Sequence, residues 1–88
     1  KKLEKNLGKI RIFPKPIDNY IEIFKKKKKY EFVKSNICDL SGKIIAQKEL
    51  HTGLNYWILS DMPKGIYIIS FNNNNKLIKY PSQTLLKY

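Results

Sequence analysis

The most constraining feature of this sequence is a two-residue alternation of apolar and polar side chains along much of its length. Residues 10–12 read Ile-Arg-Ile, and similar alternation recurs at residues 21–23, 33–37 and 67–71. Ile44 and Ala46 are likewise predicted to share one face of a strand, with Ile45 and Gln47 on the other. Successive side chains of a β-strand point to opposite faces of a sheet, so this pattern is typical of strands with one buried face. No window carries apolar residues at the spacing of a substantial helix. The sequence therefore predicts an all-β fold.

Turn-forming residues separate the alternating segments at regular intervals. Residues 39–42 read Asp-Leu-Ser-Gly, residues 51–53 read His-Thr-Gly, and residues 62–65 read Met-Pro-Lys-Gly. The first is predicted to be a hairpin tip and the last a type I turn. The predicted strands begin near residues 10, 20, 30, 43, 54, 65 and 76. About seven short strands at this spacing predict an immunoglobulin-like antiparallel β-sandwich.

The chain is strongly basic, with a formal net charge of +11 over 88 residues. A basic surface attracts phosphates. However, Arg11 is the single arginine among the 18 basic residues, and base readout and bidentate phosphate binding favour arginine. We interpret the lysine run at residues 25–29 as a solvated loop. We therefore expect no specific nucleic-acid binding, although weak attraction to an acidic surface is compatible with the charge.

No group of residues has the pattern of a catalytic, metal or cofactor site. His51 is the single histidine and Cys38 the single cysteine, so the chain cannot form an internal disulfide. We expect His51 to lie in an exposed turn and Cys38 to pack as a small apolar residue. The four glycines are isolated and form no phosphate-binding loop. The sequence predicts neither an enzyme nor a bound cofactor.

The longest unbroken apolar runs have four residues, at 56–59 and 66–69. A transmembrane helix needs about 20 apolar residues, so we predict none. Residues 1–9 are polar and lysine-rich and contain no secretory signal. Because the first residue is Lys1 and not Met, we expect the chain to have been cut from a longer protein. The composition of residues 1–9 predicts a linker from a preceding domain.

Several short motifs occur in a distinctive order. They are Ile-Phe-Pro-Lys-Pro at residues 12–16, Ile-Cys-Asp-Leu-Ser-Gly-Lys at 37–43, Gly-Leu-Asn at 53–55, Leu-Ser-Asp-Met-Pro-Lys-Gly-Ile-Tyr at 59–67, four Asn at 72–75 and Leu-Leu-Lys-Tyr at 85–88. In order and spacing the set resembles the type A C-terminal sorting domain of type IX secretion cargo from Bacteroidota. Phe13 and Lys15 stand where that family usually has Tyr and Asn.

The resemblance implies a non-catalytic secretion signal. Residues 1–9 would be the linker from a passenger protein, and residues 10–88 would be the sorting domain. The resemblance also implies that the passenger reaches the periplasm, crosses the outer membrane and ends on the cell surface or outside the cell. The implied partners are the outer-membrane translocon, a shuttle protein and a surface sortase. The sortase would remove the domain, and the passenger would be released or linked to anionic lipopolysaccharide.

The motif residues that the resemblance marks for folding or recognition are Pro14, Pro16, Asp39, Gly42, Lys43, Gly65, Tyr67, Leu85, Leu86 and Lys87. Several of these residue types also have a purely structural explanation. Glycines permit turns, prolines block pairing at a sheet edge, and a tyrosine can pack in a core with its hydroxyl at the rim. We therefore expect the motifs to specify the fold and recognition to act on the folded surface. Main-chain pairing at the terminal strand, residues 85–88, is the expected contact.

Two other functions remain open at this point. An immunoglobulin-like adhesion or carbohydrate-binding module would present exposed aromatic side chains, with Trp57 and Tyr56 as candidates, although Trp57 is better interpreted as a core residue. A nucleic-acid-binding domain would present one continuous lysine face and bind with steep salt dependence.

Overall fold

The computed structural model describes residues 6–7, 10–14, 16–26, 31–74 and 78–88. The strands are β1 (Asn6–Leu7), β2 (Ile10–Phe13), β3 (Tyr20–Lys25), β4 (Val33–Cys38), β5 (Ile44–Leu50), β6 (Gly53–Ile58), β7 (Gly65–Asn73), β8 (Ile78–Lys79) and β9 (Gln83–Lys87). The described residues include no helix, and hence none that could span a membrane. The all-β prediction is confirmed.

Two antiparallel sheets form a sandwich of the predicted immunoglobulin-like kind. The three-stranded sheet has the order β2-β3-β6, and the four-stranded sheet has the order β5-β4-β7-β9. A separate ribbon pairs β1 with β8 in parallel. The first six predicted strands correspond to β2 through β7. The last one is divided into β8 and β9 on either side of Pro81, which has no N–H to donate to a ladder.

The core lies between the two sheets and is filled by alternate residues of the strands. Side chains that are at most 1% exposed come from both sheets: Ile21, Ile23, Ile37, Ile69 and Leu85. Burial of a side chain of this size contributes about 1.5–3 kcal/mol relative to leaving it exposed. The two-residue alternation in the sequence thus becomes the packing that holds the sheets together.

A β-bulge alters the expected alternation at the start of β5. The sequence pattern places Ile44 and Ala46 on one face, but the register shifts so that Cys38 pairs with Ile44 while Ile37 pairs with Ala46. A bulge sets two residues of one strand against one of its partner and re-aims the side chains. Ile44 and Ile45 are consequently both exposed, at 50% and 40%.

The interpretation of the lysine run as solvated is wrong at its first residue. Lys25 belongs to β3 and continues the inward positions of Ile21 and Ile23, so that it is only 2% exposed. Its Nζ lies 3.2 Å from a carboxylate oxygen of Glu31, and a buried lysine is normally paired in this way. Lys26 is exposed, and residues 27–29 lie outside the described residues.

The turn before β7 also differs from the predicted type I turn at residues 62–65. Its hydrogen bond runs from Met62 N to Leu59 O over 3.0 Å, so the turn lies three residues earlier. Met62 is buried at 8% exposure, which anchors the end of this turn in the core. Gly65 is already the first residue of β7.

Candidate functional site

The terminal strand β9 pairs with β7 at the edge of the four-stranded sheet. Gly65 lies opposite Lys87, and Tyr67 lies opposite Leu85. Leu85 is 1% exposed, and Lys87 is 5% exposed with its Nζ donating to Tyr88 O over 3.2 Å. Two of the three predicted site residues of this strand are therefore structural, and Leu86, at 43% exposure, is the one that faces out.

The other edge of β9 is held by Ile17, which follows the Pro-Lys-Pro segment. Ile17 N donates to Leu86 O over 2.9 Å, and Tyr88 N donates to Ile17 O over 3.0 Å. Ile17 itself is 1% exposed, whereas Pro14 and Pro16 are exposed. Proline has no N–H, so neither proline can donate a main-chain hydrogen bond beside this contact. Main-chain pairing by a partner at Leu86 and Tyr88 would have to displace Ile17.

The tip of the β4–β5 hairpin is organised by Asp39. Its Oδ1 accepts hydrogen bonds from Ser41 N (2.9 Å), Ser41 Oγ (2.6 Å) and Lys43 N (3.0 Å). Gly42 has a φ of +92°, which favours glycine, and its N donates to Asp39 O over 3.0 Å. The predicted hairpin tip at residues 39–42 is confirmed, and the Lys43 side chain is exposed.

These hydrogen bonds also favour the ionised form of the Asp39 carboxyl group. The bond from the Ser41 hydroxyl, followed by those from the backbone of Lys43 and Ser41, lowers the pKa of Asp39 below its usual value. Because the folded-state pKa is lowered, the carboxylate stabilises the tip above the ordinary aspartate pKa. That contribution is lost as the pH falls through the folded-state pKa.

Tyr67 and Gly65 form the start of β7. Tyr67 is 7% exposed, and its hydroxyl donates to Pro63 O over 2.6 Å. A tyrosine with a buried ring and a hydrogen-bonded hydroxyl at the rim was expected from the sequence, and the structure agrees. Gly65 has a φ of +154°, and a Cβ placed there would lie 3.8 Å from the Tyr67 ring.

Gly65→Val is expected to destabilise the domain by about 1–3 kcal/mol, because a β-branched residue is strained at this φ. The added Cβ itself would meet ordinary contact distances, so the backbone and not a clash carries the effect. Urea denaturation monitored by the fluorescence of Trp57 measures the change. Ile66→Val, at the next and exposed position of β7, is the matched control. An unchanged midpoint for Gly65→Val would contradict the strained geometry.

The strand pairings place the predicted site residues at one end of the sandwich. Cys38 pairs with Ile68, so the hairpin tip leaves the sheet at the end where β7 begins. Gly65 pairs with Lys87, so β9 finishes at that end too, and Ile17 joins it there. We call this region, residues 14, 16–17, 39–43, 63–67 and 85–88, the motif end.

The outer face of the four-stranded sheet is apolar beside the motif end. Ile66 and Leu86 are a cross-strand pair and are 48% and 43% exposed. Ile68 and Ile44 extend the patch at 37% and 50% exposure, on either side of the half-buried Cys38. A contiguous apolar patch on a small domain is typical of an interaction surface.

Asn55 is a structural residue that the predicted site residues do not include. It is 1% exposed. Its Oδ1 accepts from His51 N (2.9 Å), and its Nδ2 donates to His51 O (2.9 Å), Ile23 O (3.2 Å) and Gly53 O (3.3 Å). Asn55 thus closes the turn between β5 and β6 and ties β6 to β3. The Gly-Leu-Asn motif at residues 53–55 was its signal in the sequence.

A buried polar cluster lies at the other end of the sandwich from the motif end. The Glu31 carboxylate, whose side chain is 0% exposed, pairs with Lys25 and accepts hydrogen bonds from the Tyr80 hydroxyl (2.8 and 2.9 Å) and from Asn73 Nδ2 (3.3 Å). Burial, with the hydrogen bonds and charge of Glu31, raises the pKa of Tyr80 well above its usual value. We call these residues the Glu31 cluster.

The structure also locates the other residues considered for a metal site or an aromatic platform. No group of three or more His, Cys, Asp or Glu side chains there could hold a metal ion. His51 is exposed, as expected. Trp57 is 9% exposed and belongs to the core, so of the two residues considered for an aromatic platform only Tyr56, at 55%, is exposed.

Comparison with known protein families gives a match over most of the chain. The family model described as the secretion system C-terminal sorting domain matches residues 11–82 of 88. No curated protein and no solved structure matches the chain. The matched span includes the Pro-Lys-Pro segment, the Asp39 hairpin and the start of β7, and it ends just before β9. The chain therefore belongs to the family of C-terminal sorting domains, the sorting signals of type IX secretion.

Proposed function

We propose that this chain directs a preceding passenger protein across the outer membrane through the type IX translocon, and that the machinery recognises the motif end of the folded domain. Membership of the family, which implies a type IX sorting signal, supports the first statement. The observation that carries the second is that four of the six motifs, at residues 12–16, 37–43, 59–67 and 85–88, meet at one end of the sandwich.

The burial of motif residues favours recognition of a folded domain over recognition of an extended peptide. Ile17, Tyr67 and Leu85 are at most 7% exposed, so a partner cannot read these side chains without unfolding the domain. Their role is to fix the position of the exposed neighbours. Leu86 and Ile66 are then the side chains that a translocon or shuttle protein would cover, and burial of their apolar surface would contribute to affinity.

We further propose that a surface sortase cleaves within residues 1–9, after which the passenger is released or linked to anionic lipopolysaccharide. The polar, lysine-rich composition of this segment supports the position, since proteolysis concentrates in exposed linkers. Asn6 and Leu7 pair with β8. Backbone engaged in a ladder is a poor protease substrate, so we place the cut on the N-terminal side of Asn6.

A fluorescent reporter fused ahead of residues 1–88 tests the role of the motif end. Leu86→Ser is expected to reduce export about tenfold, the effect of losing about 1.4 kcal/mol of binding, without unfolding the domain. Leu54→Ser is the matched control, because Leu54 is 52% exposed on the other sheet. Export of the Leu86 variant at the level of the control would contradict recognition at this surface.

Deletion of residues 84–88 is the complementary variant. It removes the buried Leu85 together with Leu86, so we expect loss of both folding and export, with the passenger still folded. Normal export of the deletion would overturn the proposal. In the unaltered fusion, the mass of the released domain locates the cut. A fragment beginning after residue 6 would contradict a cut on the N-terminal side of Asn6, and one beginning after residue 10 would also contradict the assignment to residues 1–9.

A further inference from the structure

The outer face of the three-stranded sheet carries a second exposed surface, at a different place from the motif end. Four aromatic side chains point outwards from its strands: Phe13, Tyr20, Phe24 and Tyr56. Phe13, Phe24 and Tyr56 are 41%, 42% and 55% exposed, and Tyr20 is half-buried. We call these four residues the aromatic face. So much exposed aromatic surface on a domain of this size indicates a binding surface.

The tyrosines of the aromatic face form a preorganised pair. The rings of Tyr20 and Tyr56 stack with centroids 4.8 Å apart and planes inclined by 19°. Both residues lie on paired strands of one sheet, with Tyr20 opposite Ile58 and Tyr56 opposite Glu22. The sheet therefore holds the rings in place before any ligand arrives, which limits the ordering cost of binding.

Cations flank the phenylalanines of the aromatic face. Arg11 lies opposite Phe24 in the β2–β3 register, and a shallow groove is lined by Arg11, Phe13, Phe24 and Lys26. Glu22 lies between Phe13 and Tyr56 in the register and is half-buried. Arginine can form paired hydrogen bonds with a carboxylate, and a carboxylate such as Glu22 can accept hydrogen bonds from hydroxyl groups.

We propose that the aromatic face is a binding site for an acidic polysaccharide. The aliphatic C–H face of a sugar ring is slightly positive and packs against the negative face of an aromatic ring. Arg11 and Lys26 would pair with the carboxylates of such a chain, and Glu22 would accept from its hydroxyl groups. The inference does not depend on the proposed function.

The charge of the protein favours this occupant over a second copy of the chain. Each copy carries a net charge of +11, so two copies repel one another as they approach, and the cations Arg11 and Lys26 would lie within the shared contact. An anionic polymer is attracted by the same field. The charge of the aromatic face is therefore complementary to that of an acidic glycan but not to that of a second copy of the chain.

Calorimetric titration of the 88-residue chain with oligosaccharides of alginate and of polygalacturonate tests the proposal. Phe24→Ala and Arg11→Gln are each expected to weaken binding about tenfold. Phe32→Ala and Lys34→Gln are the matched controls, since Phe32 is 67% exposed away from the aromatic face and Lys34 is exposed on the outer face of the four-stranded sheet. Both variants should leave the affinity within about twofold. Carboxyl-reduced alginate should bind more weakly than alginate.

Three results would overturn the assignment. The first is failure of the unaltered chain to bind either acidic oligosaccharide. The second is equally tight binding of polyglutamate, or equal losses in the control variants, since either would mean attraction to any polyanion. The third is a dimer in sedimentation velocity that Phe24→Ala converts to a monomer, which would make a second copy the occupant. Export is not measured in any arm, so failure here leaves the sorting function unaffected.

Discussion

Replacing Glu31 with Ala is expected to lower the free energy of unfolding by about 3–5 kcal/mol, because Lys25 would be left buried without its counter-ion. The Nζ of Lys25 lies 3.2 Å from the carboxylate, and the two side chains are 2% and 0% exposed. The Tyr80 hydroxyl and Asn73 Nδ2 would also lose this acceptor. Urea denaturation at neutral pH measures the change.

Two further variants test whether the loss of stability comes from the unpaired charge of Lys25 or from lost packing. Replacing both partners, as Lys25→Met with Glu31→Leu, should recover most of the lost stability, because apolar side chains of similar size need no counter-ion. Glu49→Ala, an exposed carboxylate on β5, should change stability by less than about 0.5 kcal/mol. A loss below about 1 kcal/mol for Glu31→Ala would be the size of a surface ion pair and would contradict the buried arrangement.

The Glu31 cluster also sets an alkaline limit to stability. Burial and Glu31 raise the pKa of Tyr80 above the ordinary value of 10.0. A group with a raised folded-state pKa contributes its stability fully below the unfolded-state pKa and loses it as the pH rises towards the folded-state pKa. Stability should therefore fall above the ordinary tyrosine pKa, and Tyr80→Phe should reduce that dependence.

Asn55→Ala is expected to destabilise the domain by about 2–3 kcal/mol, because it removes hydrogen bonds from a buried site. The amide nitrogen donates to Ile23 O on β3, to Gly53 O on β6 and to His51 O in the turn before β6. Asn55→Asp keeps an acceptor for His51 N but loses those donors, so it should be destabilised as well. Thermal unfolding followed by circular dichroism measures both changes.

Asn72→Ala provides the control for Asn55. Asn72 is exposed on β7, so its loss should change stability by less than about 0.5 kcal/mol. If Asn55→Ala and Asn72→Ala unfolded at the same temperature as the unaltered chain, the hydrogen bonds of Asn55 would not be holding β6 to β3.

The two-residue alternation was sufficient to predict the strands because burial of Ile21, Ile23, Ile37 and Ile69 follows directly from it. It failed at Lys25, since a pattern of apolar residues treats every lysine as outward-facing. It also failed at Ile44, because the bulge that exposes this residue depends on the register with Cys38, which composition does not encode.

The motif order predicted the family but not the arrangement of the candidate site. The contact between Ile17 and β9 brings the Pro-Lys-Pro segment to the motif end. This contact joins parts of the chain that are about 70 residues apart in sequence. No local pattern indicates that contact. Asn55 was missed for a related reason: an Asn in a Gly-x-Asn segment looks like any polar turn residue until the carbonyl of Ile23 is placed beside it.

Export of a fluorescent protein that carries a periplasmic signal peptide and residues 1–88 at its C-terminus tests the sorting function most directly. The fusion is expressed in Bacteroidota hosts with and without a working type IX translocon. We expect fluorescence in the medium or on the cell surface only where the translocon works. Retention in the periplasm of both hosts, with the domain folded, would contradict the assignment of this chain as a sorting signal.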